Sequence, residues 1–262
     1  MPIAWLLKYW EKMAEVTLPY LINRPIALQQ KFDHQIIYRR HGEKTRWIRI
    51  KNKDEIIDWG RQHTFSFHPH LLGDHDLWFI MDLDRRGKLM SEDCLKLATY
   101  KMAELLEDLN LKYLLKFSGS RGYHFLFSWG RKPTKISSDY WTLQRKLIQY
   151  LTSTLEERIQ KSKDKAKFYA HLRPKDKIFT TNSQDEKQKE SILIDEAIVH
   201  KNGMIRSPYS VHPETLLVSL PLTKENLFKF EPRREAKPDK IEPKKVPLPE
   251  NKLENIINKI KS

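Results

Sequence analysis

Apolar positions along this chain recur with two different spacings, and each change of spacing marks the passage from one element to the next. Over residues 3–20, Trp5, Tyr9, Met13 and Val16 fall on one stripe, which predicts an amphipathic helix. Short strands are expected near 26–30, 35–40 and 45–50, a short helix near 54–61, and another strand near 64–68. Residues 78–84, Trp-Phe-Ile-Met-Asp-Leu-Asp, form an apolar run that reads as a strand from a sheet interior. Beyond it, Leu95, Ala98, Met102, Leu105 and Leu109 recur at three and four, a helix with Ser91 as its N-cap. Residues 112–129 are two apolar runs around Ser118-Gly119-Ser120-Arg121-Gly122, the pattern of a hairpin. A long helix follows near 139–159, carrying Trp141, Leu147, Leu151 and Leu155. The chain has no internal repeat.

Between and after these elements the pattern weakens. Residues 160–190, rich in Lys, Asp, Gln and Ser, read as a mobile basic connection or an excursion contacting nucleic acid. Residues 231–248 mix prolines with charges, a linker-like composition. Leu253, Ile256, Ile257 and Ile260 then share one helical face that would dock on the domain or on a partner. The expected organisation is one main domain over 1–230, a charged linker over 231–248 and an amphipathic helix over 249–262. The expected fold class is α+β, with mixed sheets, helices packed outside, and an acidic cluster in a cleft between the sheets.

Three places carry candidate chemistry. Strand side chains alternate faces, so Asp82 and Asp84 share one face while Leu83 points away. Two neighbouring carboxylates repel unless a cation lies between them, and hard oxygen ligands suit Mg²⁺ or Mn²⁺. The plainer reading is a polar strand end leading into the turn Asp84-Arg85-Arg86-Gly87. In the hairpin, the two glycines let the backbone approach a bound group, and Ser118, Ser120 and Arg121 supply donors. His124 shares a face with Leu126, opposite Tyr123, Phe125 and Phe127, and stands just beyond the turn, where it can donate to a phosphate oxygen. The alternative is a hairpin with a polar tip and a satisfied histidine. Farther along, Asp195 follows Ser191-Ile-Leu-Ile and would complete a three-carboxylate cluster, while Arg206, Ser210 and His212 form a second set of phosphate donors. A capping Asp and a surface Arg-Ser-Pro turn explain each of these residues singly, and explain the ordered set poorly.

Composition sharpens the reading. Lys and Arg exceed Asp and Glu by 48 − 34 = 14 and the pI is about 9.6, which suits a polyanionic partner. The excess is dispersed, with aromatics such as Trp47, Trp59, Phe65, Phe67, Trp129 and Trp141 interleaved. A merely basic soluble protein is the bland alternative. The single cysteine, Cys94, excludes an internal disulfide and any Cys-x-x-Cys zinc module. No apolar run approaches 18 residues and no signal peptide is evident, so a soluble, cytoplasmic protein with no membrane partner is expected.

Asp82-x-Asp84, Ser118-Gly-Ser-Arg-Gly-Tyr-His124, and Asp195 with Arg206-x-Pro-x-Ser-x-His212 together resemble the archaeo-eukaryotic primase superfamily over roughly residues 76–222. The opening adds a subfamily likeness. Tyr9-Trp-Glu-Lys-Met13, Leu18-Pro-Tyr-Leu21, Arg24-Pro-Ile-Ala-Leu28 and Ile36-Ile-Tyr-Arg39-Arg40-His41 look like the start of the ligase D polymerase domain of non-homologous end joining. The third motif departs from that subfamily and is similar to the small catalytic subunit of replicative primase, although the zinc-knuckle cysteines usual there are missing.

The resemblance implies an RNA-recognition-motif-like catalytic part and template-directed nucleotidyl transfer. Asp82, Asp84 and Asp195 would hold two divalent metals roughly 3.5–4 Å apart. Ser118, Ser120, Arg121 and His124 would cradle the triphosphate, with Arg206, Ser210 and His212 closing from the other side. Lys116, Arg39 and Arg40 are further candidates for phosphates, and Phe67 or His68 for stacking on a template base. The implied substrates are primer–template or single-stranded DNA and nucleoside triphosphates, in gap filling or end extension during DNA repair, or in primer synthesis for replication. A separate ligase, Ku or a primase large subunit are the implied protein partners. Two rivals are weaker. A nucleotide-sugar glycosyltransferase uses Asp-x-Asp but leaves the glycine turn, Asp195 and the charge unexplained. A non-catalytic nucleic-acid-binding accessory protein has no need of three intact carboxylates.

Overall fold

Helix α1 (Ala4–Thr17) forms as the stripe predicts and buries Leu6, Tyr9, Trp10 and Met13. The computed structural model describes residues 4–42, 45–87, 90–131, 138–172, 177–181 and 190–252. Beside α1 lies a small antiparallel sheet of β1 (Ile26–Phe32), β2 (Gln35–Arg39) and β3 (Thr64–Pro69), in the order β2-β1-β3. Trp10 locks helix to sheet. Its Nε1 donates to the Thr64 carbonyl at 2.7 Å, and its ring meets Phe67 edge-on at 5.0 Å. Truncating so buried an indole would cost about 3–5 kcal/mol. Helix α2 (Lys53–Arg61) starts at Asn52, whose side chain accepts from the Glu55 amide. The expected strand at 45–50 is reduced to isolated bridges of Trp47 to His41 and Ile48 to Ile26.

The larger sheet has six strands in the order β7-β8-β4-β6-β5-β9. Its centre is β4 (Asp76–Arg86), flanked by β6 (Tyr123–Arg131) and β8 (Ser191–Ile194), both antiparallel to it. Strand β5 (Leu114–Phe117) completes the hairpin with β6, and the two-residue strands β7 (Phe179–Thr180) and β9 (Pro221–Leu222) sit at the edges. Helix α3 (Glu92–Asp108) leads from β4 to β5, capped by Ser91 Oγ accepting from the Cys94 amide. Helix α4 (Ser138–Gln160) leads from β6 towards β8. In chain order this part runs β4-α3-β5-β6-α4, with β7 and β8 following, and of the adjacent central strands β4 bears the acidic motif while β6 leaves the glycine turn. The fold class is α+β, two sheets with flanking helices.

Residues 205–221 join the sheets. Ile205, Ser207 and Val211 donate backbone bonds to Pro69, Phe67 and Phe65 of β3, while Leu220 accepts from Phe117 of β5. Two expectations drawn from composition give way here. Residues 231–248 are laid against the domain, not strung out as a linker. Ala236 and Ile241 are buried, and the Tyr20 and Tyr209 hydroxyls donate to the carbonyls of Val246 and Lys244. The segment 160–190 contains a short helix, α5 (Lys165–Tyr169), that buries Phe168, so its described part is packed structure. The proposed C-terminal helical face at Leu253–Ile260 lies outside the described residues. Among those described, no helix is long and apolar enough to cross a membrane.

Candidate active site

The carboxylates meet at the end of β4. The register places Asp82 opposite His124 of β6 and Asp84 opposite Leu193 of β8, while the Asp195 amide donates to the Asp82 carbonyl at 3.1 Å. Directly opposed residues share a face, so Asp82, Asp84 and His124 project from the same side and Leu83 is buried on the other. The close approach of Asp84 to the glycine turn dictates Gly122, where a Cβ would stand 2.0 Å from Asp84 Oδ1 and 2.6 Å from the Leu83 carbonyl.

Their charges are unequal. Burial and the nearby Asp82, then Asp195, push the Asp84 carboxyl up to about 7, against a weaker pull from Arg121 at 3.9 Å. Burial also disfavours charge on Asp82, but His124, Lys116 and Arg206 together outweigh it and hold Asp82 below the usual carboxylate range. Burial and then Asp82 raise Asp195, whose Oδ1 accepts from the Ala197 amide. Three hard oxygen donors crowded until one resists ionisation fit a divalent cation such as Mg²⁺ or Mn²⁺ in both chemistry and sign. Buried Asp82 Oδ1 lacks a well-aligned hydrogen bond, although His124 Nε2 stands 3.1 Å away. As placed, no three His, Cys, Asp or Glu side chains among the described residues stand close enough together to hold a metal ion, so the three carboxylates would have to draw in around one.

Behind this face runs a buried polar chain. Lys116, fully buried, donates to His124 Nδ1 at 2.7 Å and to Ser219 Oγ at 2.9 Å. Asp82, held ionised, only accepts, so the His124 proton sits on Nε2 facing it and Nδ1 accepts from Lys116, whose pKa burial and then Arg206 push well below the ordinary lysine value. Burial and then Lys116 push His124 down to about 4, which leaves it neutral at pH 7. Lys116 was expected to touch phosphate. Its position makes it the support that fixes the orientation and tautomer of His124.

The glycine turn closes on itself. Ser118 Oγ accepts from the Ser120 and Gly122 amides, which leaves its proton free for a ligand, and Gly119 adopts φ +89°. Ser120 is half-buried and Arg121 exposed at the tip. Arg206 spans the two sheets. It donates to Ser66 Oγ of β3, to the Ser118 carbonyl and to Gln29 Oε1 of β1, at 3.0–3.1 Å. Burial lowers it to about 10, so it remains charged. His212 Nδ1 accepts from the Glu214 and Thr215 amides, so its proton is on Nε2 and directed elsewhere; burial and then Arg206 push it down to about 4.

Three other expectations fare differently. Ser210 is buried, accepts from the Phe67 amide and pairs with Ser207 at 2.8 Å, so it secures the backbone beneath the site and does not face it. Phe67 is fully buried under Trp10 and offers no ring to a base. His68 is half-buried beside Gln29 and Ser66, with the exposed Tyr38 ring 6.1 Å away. Arg39 and Arg40 are exposed along and just after β2. The motifs gave no sign of Gln29, Ser66, Tyr38, Thr215 or Ser219, because each joins the site only through contacts distant in sequence.

Comparison with curated proteins finds no match. Among solved structures, the polymerase domain of Mycobacterium tuberculosis ligase D in complex with DNA superposes with a TM-score of 0.67 at 17% identity, over 89% of this chain and 85% of that one. The family described as LigD, primase-polymerase domain, matches residues 4–246. Its span includes all three carboxylates, the glycine turn and Arg206, and the chain belongs to that family.

Proposed function

We propose that the chain is a template-directed nucleotidyltransferase of DNA repair, extending a primer terminus or filling a short gap. The supporting observation is the pairing of Asp82 with His124 across β4 and β6, which sets the carboxylates beside the glycine turn. Asp82, Asp84 and Asp195 would hold Mg²⁺ or Mn²⁺, which supplies activation of a 3′ hydroxyl and neutralisation of triphosphate charge. The chain's own residues do the rest. Ser118 Oγ, the Nε2 proton of His212 and the Arg121 guanidinium would present donors to phosphate oxygens, while His124 turns its Nε2 proton to Asp82 and would orient that carboxylate beside them. Arg206 holds the two sheets at fixed separation, so the donors need no reorganisation as charge moves onto the leaving pyrophosphate. Arg39 and Arg40 on the exposed hairpin suit a nucleic-acid backbone, as does the net charge of +14. The relative of known structure is a DNA complex, which agrees with such a partner.

Arg206-Ser-Pro-Tyr-Ser-Val-His212 favours a second reading, primer synthesis on single strands. Labelled ribo- and deoxynucleotides offered with a gapped, 5′-phosphorylated duplex and with an unprimed single strand separate the two. Gap filling should dominate and should weaken as salt rises. Efficient synthesis on the unprimed strand alone would assign the chain to priming, and no incorporation on either would reject polymerase activity.

A further inference from the structure

The opposite face of the larger sheet carries a cavity that the proposed reaction does not use. The register pairs Leu83 with Tyr123, so Tyr123 lies on the reverse side from Asp82 and His124, and Arg85, two residues beyond Leu83, lies there too. Between this face, the start of α3 and residues 231–237 is a cavity of about 880 Å³. That volume is within the range of small-ligand sites.

Its lining is cationic in excess. Of the residues around it, Lys96 is engaged by the Phe230 carbonyl at 2.7 Å and Glu92 at 3.6 Å, and Glu231 by Arg234 at 3.5 Å. Arg121 stands 3.9 Å from Asp84 and Arg85 donates to the Met90 carbonyl at 3.3 Å, so Arg85, Arg233 and Lys237 have no ion pair among the described residues, against Asp93 as the one such carboxylate of the lining. Two donors there are unmet. The Tyr123 hydroxyl, on a side chain only 1% exposed, has no hydrogen-bond partner, and neither does buried Arg85 Nε. A native interior rarely leaves such groups unpaired, and each costs about 1–3 kcal/mol until a partner arrives. What they lack is an acceptor, and the surrounding charge says that it is an anion.

We infer that this cavity is a second anion site, built for a small polyphosphate such as inorganic pyrophosphate or the phosphate chain of a free nucleotide. Arg85, Arg233 and Lys237, joined by Arg121 when it leaves Asp84, match the several negative charges of a polyphosphate better than the one or two of a lone phosphate. Tyr123 and Arg85 supply fixed donors in the wall, and exposed Arg233 and Lys237 close over the mouth. Arg121 belongs to both faces, lining this cavity while its Nε stands 3.9 Å from Asp84 Oδ2. An anion here therefore competes with Asp84 for Arg121, which links the cavity to the carboxylates without sharing their ligands. The inference does not depend on the chain being a polymerase.

Calorimetric titration of inorganic pyrophosphate into the full chain, in chelator, tests it. Arg233→Ala/Lys237→Ala should weaken binding at least tenfold, and His124→Ala should leave it within twofold. Tyr123→Phe should weaken it threefold or more while the thermal midpoint holds or rises, a split that a purely structural hydroxyl would not produce. Inorganic phosphate should bind at least tenfold more weakly than pyrophosphate, and a nucleoside triphosphate should compete with it. No pyrophosphate binding by the folded wild type would overturn the inference. So would loss of binding in His124→Ala with none in Arg233→Ala/Lys237→Ala, because the anion would then sit in the catalytic cleft.

Discussion

Asp84→Asn should stabilise the metal-free protein at pH 8. The carboxyl is held up to about 7 by burial and by Asp82, against an ordinary value of 3.8. A raised carboxyl pKa means that the folded state keeps its proton longer than the unfolded chain. The folded state is therefore penalised for ionisation as pH climbs from 3.8 to 7, and by a constant amount above. About three units at 1.36 kcal/mol each give roughly 4 kcal/mol. The side chain is 29% exposed, and solvent screening reduces this to about 2 kcal/mol. For a chain of this length that is a rise of about 4 °C in thermal midpoint. Asparagine keeps the volume and removes the charge. Thermal unfolding in chelator should show the full gain at pH 8 and about a third of it at pH 5, where folded Asp84 is already protonated. Added Mn²⁺ should stabilise the wild type more than the variant, because the cation relieves the same repulsion. An unchanged or lower midpoint for Asp84→Asn at pH 8 in chelator would refute the claim that the carboxylates are held together under strain.

Lys116→Met should fold normally, since an apolar chain of similar length escapes the cost of burying a cation. Its kcat/KM for nucleotide should fall about tenfold or more and the acid limb of its pH–rate profile should move up, because Lys116 depresses His124; an unchanged profile would show that Lys116 does not act through the histidine. Gly122→Ala brings a Cβ against Asp84 and the Leu83 backbone, which cannot yield. It should cost about 1–3 kcal/mol in denaturant titration and abolish most turnover, and wild-type values for both would refute the packing argument. Arg206→Lys cannot reproduce three directed bonds, so chemical denaturation should register a loss of about 1–3 kcal/mol together with a higher KM for nucleotide.

The site was largely legible where local alternation decides geometry. The period of two put Asp82 and Asp84 on one face and His124 opposite Tyr123, and the strands and their register follow that pattern. Ser91 announced α3 because N-capping is a local event. What failed was long-range. Phe67 reads as an aromatic free to stack, but Trp10 of a distant helix covers it. Lys116 reads as a phosphate ligand, yet Ser219, a hundred residues on, shares its burial beneath His124. The proline-rich segment has the composition of a linker, and contacts from elsewhere in the chain, the Tyr20 and Tyr209 hydroxyls and the Val218 amide among them, pin it down. Strands of two residues such as β7 and β9 are too short to carry any periodicity.

The most direct measurement is incorporation of a labelled nucleotide at a primer terminus by wild-type protein and by Asp82→Asn, each with Mg²⁺ or Mn²⁺. The substitution removes a ligand charge at nearly constant volume, so folding and DNA affinity should persist. Wild-type protein should extend the primer in template order, and the variant should lose at least a hundredfold in rate while still binding the duplex. Equal turnover by Asp82→Asn, or no extension by folded wild-type protein with either cation, would contradict the assignment of chemistry to this cluster.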